Sequence, residues 1–136
     1  MNWRDKLLFF EAFILTGIAR GSILFIKFNK LKKYMGNHNT ESPMEVDLEV
    51  YNTTVRIRRA VLKASQCTPW ESKCLVQALT VQRMLKWRNI SSTIYLGVNK
   101  DKDNKMQAHA WSRVGEIIVT GGEVKDAFTQ VSKFSS

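Results

Sequence analysis

TIYLGVNKDKDNKMQAHAWSRVGEIIVT, residues Thr93–Thr120, carries the reading of the fold. Thr93, Tyr95 and Gly97 alternate with Ile94, Leu96 and Val98, the period-two pattern of a half-buried strand. Met106–Val114 reads as a second strand and Glu116–Thr120 as a third, with Val114–Gly115 as the tight turn between them. Asn99–Lys105 is a polar connection, and Phe128–Phe134 reads as a weaker fourth strand. Upstream the period is helical. Glu45–Ala64 places Val46, Val50, Val55, Ile57 and Val61 at helical spacing, and after a break at Gln66–Pro69 a second helix runs to Trp87 through Leu75, Ala78, Leu79, Gln82 and Leu85. Helices followed by an antiparallel β-meander give an α+β domain, with the helices on one face of the sheet.

The front of the chain reads differently. Trp3, Leu7, Phe10 and Ile14 fall at helical spacing, with Leu8, Leu15 and Ile18 beside them. Leu7–Phe28 is apolar, yet Glu11, Arg20 and Lys27 interrupt it, as do Gly17, Gly21 and Ser22. The pattern predicts two amphipathic helices breaking near Gly21–Ser22 and ending in a basic stretch over Lys27–Lys33; they are expected to pack on the rest of the domain, with a membrane-surface contact or a docked partner as the alternatives and no transmembrane span. Gly36–Pro43 reads as a linker by its turn residues, and His38 within it has no chemical neighbour. Residues 1–43 are thus expected to form a basic helical extension and linker, and 44–136 the main domain.

At 136 residues, with 44% hydrophobic and 24% charged side chains, the composition is that of a folded domain and not of a disordered chain. The net charge is +9, and the first 40 residues hold seven Lys/Arg against two Asp/Glu. Such an excess suits nucleic acid, anionic lipid, an acidic peptide, or simply a solvated face. A nucleic-acid reader would interleave exposed aromatics with Lys/Arg on one surface, whereas Trp3, Phe25, Phe28 and Tyr34 keep core-like helical spacing. The sequence contains no phosphate-binding glycine loop, no Cys/His set with metal spacing and no nucleotide fingerprint, so no cofactor and no metal are expected. Met1–Asp5 is polar and no signal-like cleavage site follows, which predicts a cytoplasmic setting with Cys67 and Cys74 as free thiols.

Cys74 and His109 are the chemistry-bearing pair. A cysteine nucleophile needs an imidazole that accepts its proton and later protonates the leaving amine, and a helix N-terminus favours a thiolate. Two helix starts fit Cys67–Leu75. Thr68 and Glu71 could form a capping box with Pro69 at the first helical position, or Ser72 could cap a helix that holds Cys74 in its first turn. His109 lies between Ala108 and Ala110 on a predicted strand, where small neighbours would leave its ring approachable. Each residue alone also reads as a core residue: a small buried Cys, a satisfied His. A third group would orient the imidazole from the next strand. With Val114–Gly115 as the turn, His109 stands opposite Thr120, and a bulge at Gly121–Gly122 would bring Glu123 into reach. Thr120, Glu123 or a two-residue site all remain open.

Pro69-Trp70, Cys74-Leu75 with Gln77-Ala78-Leu79, Leu96-Gly97-Val98, Ala108-His109-Ala110-Trp111 and Val119-Thr120-Gly121-Gly122 together resemble the leader peptidases of lasso-peptide biosynthesis, within the transglutaminase-like superfamily of papain-type cysteine proteases. The resemblance covers roughly Arg58–Phe134. It implies a hydrolase that removes the leader of a ribosomally made precursor, with Cys74 as nucleophile and His109 as base. A separate leader-recognition protein and an ATP-using macrolactam synthetase are the implied partners. The family's acid, an aspartate after the histidine motif, is not matched at the expected position. Trp70, Tyr95 and Trp111 are expected along the substrate cleft. Two other readings compete: a basic binding module acting through residues 1–33, and an inactive relative that scaffolds precursor and synthetase.

Overall fold

The computed structural model describes residues 2–69, 73–100, 102–122 and 128–136, with backbone only at Phe28 and Asn29. The elements in order are α1 (Trp3–Phe25), α2 (Phe28–Leu31), a 3-10 turn (Lys32–Met35), β1 (Asn37–His38), α3 (Leu48–Cys67), α4 (Cys74–Lys86), β2 (Thr93–Lys100), β3 (Met106–Val114), β4 (Ile117–Thr120) and β5 (Thr129–Ser135).

Two of the helices start on a side-chain cap. Asn2 caps α1 by accepting from the Asp5 N–H at 2.9 Å, and Asp47 caps α3 by accepting from the Val50 N–H at 2.9 Å. The stop of α3 at Cys67 fits the bias against helical geometry just before a proline, here Pro69 two residues on. On α3 the inward stripe is Ile57, Ala60, Val61 and Ala64, the i, i+3, i+4, i+7 pattern that the sequence shows. The two front helices expected to break at Gly21 are instead one 23-residue helix. A lone glycine costs a helix only about 1 kcal/mol, and the ladder continues past it with Ile26 N–H donating to the Ser22 carbonyl at 2.8 Å. By length and composition α1 could cross a membrane.

The sheet order is β1-β5-β2-β3-β4. The last strand therefore does not follow its predecessor as a meander would. The strand after β4, β5, pairs instead with β2 on the edge away from β3. The hairpin turn also moves by one residue: Val114 pairs with Ile117, which makes Gly115–Glu116 the turn, and a bulge then sets Ser112 opposite Thr120. The pairing of β2 with β3 is unbroken from Thr93↔Arg113 to Lys100↔Met106.

That unbroken ladder fixes two faces, because side chains alternate along a strand and directly paired residues share a side. On one face Val114 and Val119 join Ala12, Leu15, Ile57, Ala60, Val61, Ala64, Val81, Met84 and Leu85 in a single core. Further along the same face Ala110, Ile94 and Phe134 pack with Met35 and Ala78. Helices α3 and α4 cover this face, and α1 packs against those two helices. Ala12 and Leu15 sit in the same core as the helices downstream, so the expected break at residue 43 does not divide the hydrophobic core. A bidentate pair fastens α1 to the end of α4: Arg88 donates to Glu11 Oε1 at 2.8 Å and Oε2 at 2.9 Å. This hydrogen-bonded carboxylate raises the Arg88 pKa further.

The other face is built of Tyr95, Gly97, His109, Trp111 and Arg113. No helix covers it. The segment Glu41–Pro43 runs across it, held by the buried Arg113. That guanidinium donates to the Ser42 carbonyl at 2.8 Å, to Tyr95 Oη at 2.9 Å and to Glu41 Oε2 at 3.3 Å. Ser42 also donates through its N–H to Thr93 Oγ1 at 2.8 Å. The expected linker is therefore a strap tied across the sheet.

Candidate functional site

Cys74 is the first residue of α4, with Lys73 as its N-cap. The ladder begins with Gln77 N–H donating to the Lys73 carbonyl at 2.9 Å, so Cys74 stands in the first turn. The capping residue differs from the expected Ser72. Trp70, Glu71 and Ser72 lie outside the described residues, and α4 does not begin at Pro69. The thiol is half-buried and packs with Leu75 and Leu79 against the Ala78–Ala110–Ile94 cluster. Cys67 is exposed at the end of α3, and both cysteines are free.

His109 is half-buried on β3, paired with Gly97. Its Nε2 lies 3.0 Å from the Gly121 carbonyl oxygen. A carbonyl can only accept, so Nε2 carries a proton and a neutral ring has its lone pair on Nδ1. The ring stacks on Trp111 at 6.1 Å between centroids and tilts against Phe128 at 5.0 Å. Gly121 has φ +73°, and a Cβ there would fall 2.5 Å from the Ala110 carbonyl oxygen and 3.0 Å from His109 Nε2. Only glycine lets the chain turn off β4 and pass this close over the imidazole.

The structure does not bring Cys74 and His109 together. Cys74 packs on the helix-covered face with Ala110, and alternation puts His109, one residue away on the same strand, on the opposite face. No hydrogen bond links the two. A general base must reach the proton directly or through one water, and here the sheet backbone lies between. His38, the other histidine, sits exposed on β1 with its ring 4.9 Å from Phe134, an apolar contact. Strands β5 and β2 stand between β1 and β3, about 14 Å at the usual spacing.

The remaining expected site residues are placed as follows. Thr120 does not face His109; its hydroxyl shares a 2.7 Å hydrogen bond with Ser112 on the buried helix side. The register moved because the turn is Gly115–Glu116 and a bulge follows. Glu123 lies outside the described residues. Tyr95 and Trp111 do not line a cleft beside Cys74. They are buried on the far face, rings stacked at 5.8 Å, with Tyr95 Oη donating to Glu41 Oε2 at 3.0 Å. Sequence reading missed the Arg113–Glu41 pair. The available signal was an arginine near the tip of the strand, with a tyrosine two residues in from its partner on the facing strand. Lys133 Nζ also reaches Glu41 Oε1 at 2.6 Å. The hydrogen bond from Lys133, then that from Tyr95, holds the Glu41 carboxyl below its ordinary pKa.

Among the described residues no group of three or more His, Cys, Asp and Glu is arranged to hold a metal ion. A family model described as the transglutaminase-like superfamily matches residues 25–133, about four-fifths of the chain. The match begins well before residue 43 and so includes part of the expected extension. No curated protein and no solved structure matched the chain.

Proposed function

This chain belongs to the transglutaminase-like superfamily, and on that premise we propose that it is a cysteine peptidase that removes the leader from a lasso-peptide precursor. The fold is of the cysteine-protease type, helices first and an antiparallel sheet after. The observation that carries the reading is Cys74 opening α4 with its thiol half exposed. In that position the thiolate attacks the scissile carbonyl and the first-turn N–H groups face the oxyanion that forms. The C–N bond breaks, the amine leaves with a proton from the base, and water then hydrolyses the thioester. His109 is the base of this reading. The ring must come round to the side of α4, which requires Met106–Ala110 to turn over relative to the helix. Among the described residues Met106–Ala110 pairs with β2 alone, because β4 pairs with β3 only from Ser112 onward, so one edge of this end of the strand is open. Assembly with the precursor and a leader-recognition protein is the step that completes the site, before a macrolactam synthetase acts.

A second reading is favoured by one observation: His109 is tied to Gly121 on the face away from Cys74. In that reading the chain holds the leader for the synthetase and performs no cleavage. Incubating precursor with this protein and the recognition partner, and following leader release by mass spectrometry, separates the two. A peptidase loses at least about 10³-fold in rate on Cys74→Ala and about 10²- to 10⁴-fold on His109→Ala. Full activity in Cys74→Ala removes the peptidase reading. No release by any variant, with leader binding intact in all three proteins, establishes the scaffold.

A further inference from the structure

The outer side of α1 is inverted relative to an ordinary surface helix. Its buried residues are Ala12, Leu15, Thr16 and Ala19, and Leu8, Phe9 and Phe13 pack partly buried against the same core. Its outward residues are large. Trp3, Leu7, Phe10, Ile14, Ile18 and Phe25 are all more than half exposed, and Phe25 is 88% exposed. Steps of three, four and seven residues put them on one stripe, roughly 33 Å long at the helical rise, directed away from the core.

Basic residues frame this stripe. Arg4 and Lys6 are exposed at its start, and Lys27, Lys30, Lys32 and Lys33 are exposed just beyond its end. Beside it, a groove between α1 and α3 is lined by Phe9, Asp5, Arg56, Arg59 and Lys63. We propose that α1 is a membrane-surface helix: it lies along an anionic bilayer with the Trp3–Phe25 stripe in the interface and the flanking lysines and arginines on the headgroups. The shape is a convex apolar ridge with cationic margins, as in interfacial helices. A second copy of this chain would set like-charged margins against each other, which disfavours a dimer through the same stripe. Crossing the bilayer is opposed by Glu11, which is paired with Arg88 midway along the helix, and by the burial of Ala12, Leu15 and Ala19 against α3 and α4.

The test is co-sedimentation of the full chain with vesicles of phosphatidylcholine alone and of phosphatidylcholine with about one-third phosphatidylglycerol. Phe10→Ser with Ile14→Ser removes apolar surface at two exposed positions, and Lys27→Gln with Lys32→Gln and Lys33→Gln removes charge. The wild type is expected to bind the anionic vesicles and to bind neutral ones at least tenfold more weakly. Each basic residue at an anionic surface is worth roughly fivefold, so the lysine variant should lose more than tenfold, and the serine variant a similar factor. Three results overturn the proposal: no binding of the wild type to anionic vesicles, binding unchanged in the serine variant, or a wild-type dimer that the serine variant dissolves without any vesicle binding. Extraction of the bound protein by alkaline carbonate supports surface attachment, and resistance to it means that α1 spans the bilayer and overturns the interfacial placement.

Discussion

The two faces of the sheet are held by different physics. The helix side is dry and apolar, and its Val114, Ile94 and Ala110 pack on aliphatic side chains from three helices. Among the described residues no helix covers the far side, which is held by directional contacts: a buried guanidinium, a tyrosine hydroxyl, a carboxylate and four rings in three stacked or tilted pairs. Apolar packing tolerates a change in detail as long as volume is kept. A polar network fails when one partner is lost, because the rest stay buried without partners. The residue expected to be the catalytic base sits on the networked face, and the residue expected to be the nucleophile on the packed one. Any chemistry joining them has to cross from one regime to the other.

The largest effect expected is on the packed face. Leu85→Ala removes a fully buried side chain and should cost about 2–5 kcal/mol, as buried Leu truncations do, read as a shifted urea midpoint. The networked face should respond less, though still clearly. Arg113→Met keeps the volume but leaves five acceptors without their donor, the carbonyls of Ser42, Pro43 and Gly115, Tyr95 Oη and Glu41 Oε2, and should cost about 2–3 kcal/mol, since Glu41 retains partial solvent access. A loss larger than that of Leu85→Ala would reverse the ranking of the two faces.

The smallest effect carries a pH signature. Glu41 has a depressed carboxyl pKa, because Lys133 and Tyr95 bond the charged form. Its contribution is present above the unfolded carboxyl value of about 4.3 and is lost as pH falls through the lower folded value. Glu41→Gln should therefore cost less than about 1 kcal/mol near neutrality, the carboxylate being partly exposed. The gap to the wild type should close in acid. A gap that persists or widens as pH falls would mean that the carboxylate charge is not what ties the strap down.

The same contrast explains what was legible in the sequence. Helices α3 and α4 and strands β2 and β3 announce themselves because burial on one side imposes a period. The covering of one face by helices follows from the order of elements. The return of β5 to the far edge of β2 leaves no periodic mark, since it is a choice among open edges made by the whole fold. The site was half legible. Local signals left Cys74 in the first or the second turn of its helix, and the structure places it in the first. The side on which His109 emerges could have been read from Ala108-His109-Ala110-Trp111: the small residues are where a helix approaches closely, and Ala110 meets Ala78 there. The alternation that seemed to open a path to the imidazole is what turns it away. Tyr95 and Trp111 belong to the same side for the same reason.

Gly97 carries a consequence for how this chain can vary. A Cβ at this position would fall 2.7 Å from Trp111 Cζ3 and 3.0 Å from Phe128 Cβ. The indole occupies the space that a side chain at residue 97 would need, and His109 rests against that indole. Replacing Gly97 first meets a steric barrier, and shrinking Trp111 first leaves a void under the imidazole. Neither order of single steps is smooth. The three positions should change together or not at all, so the lineage of this domain is channelled by an inherited dependence among residues that lie on different strands.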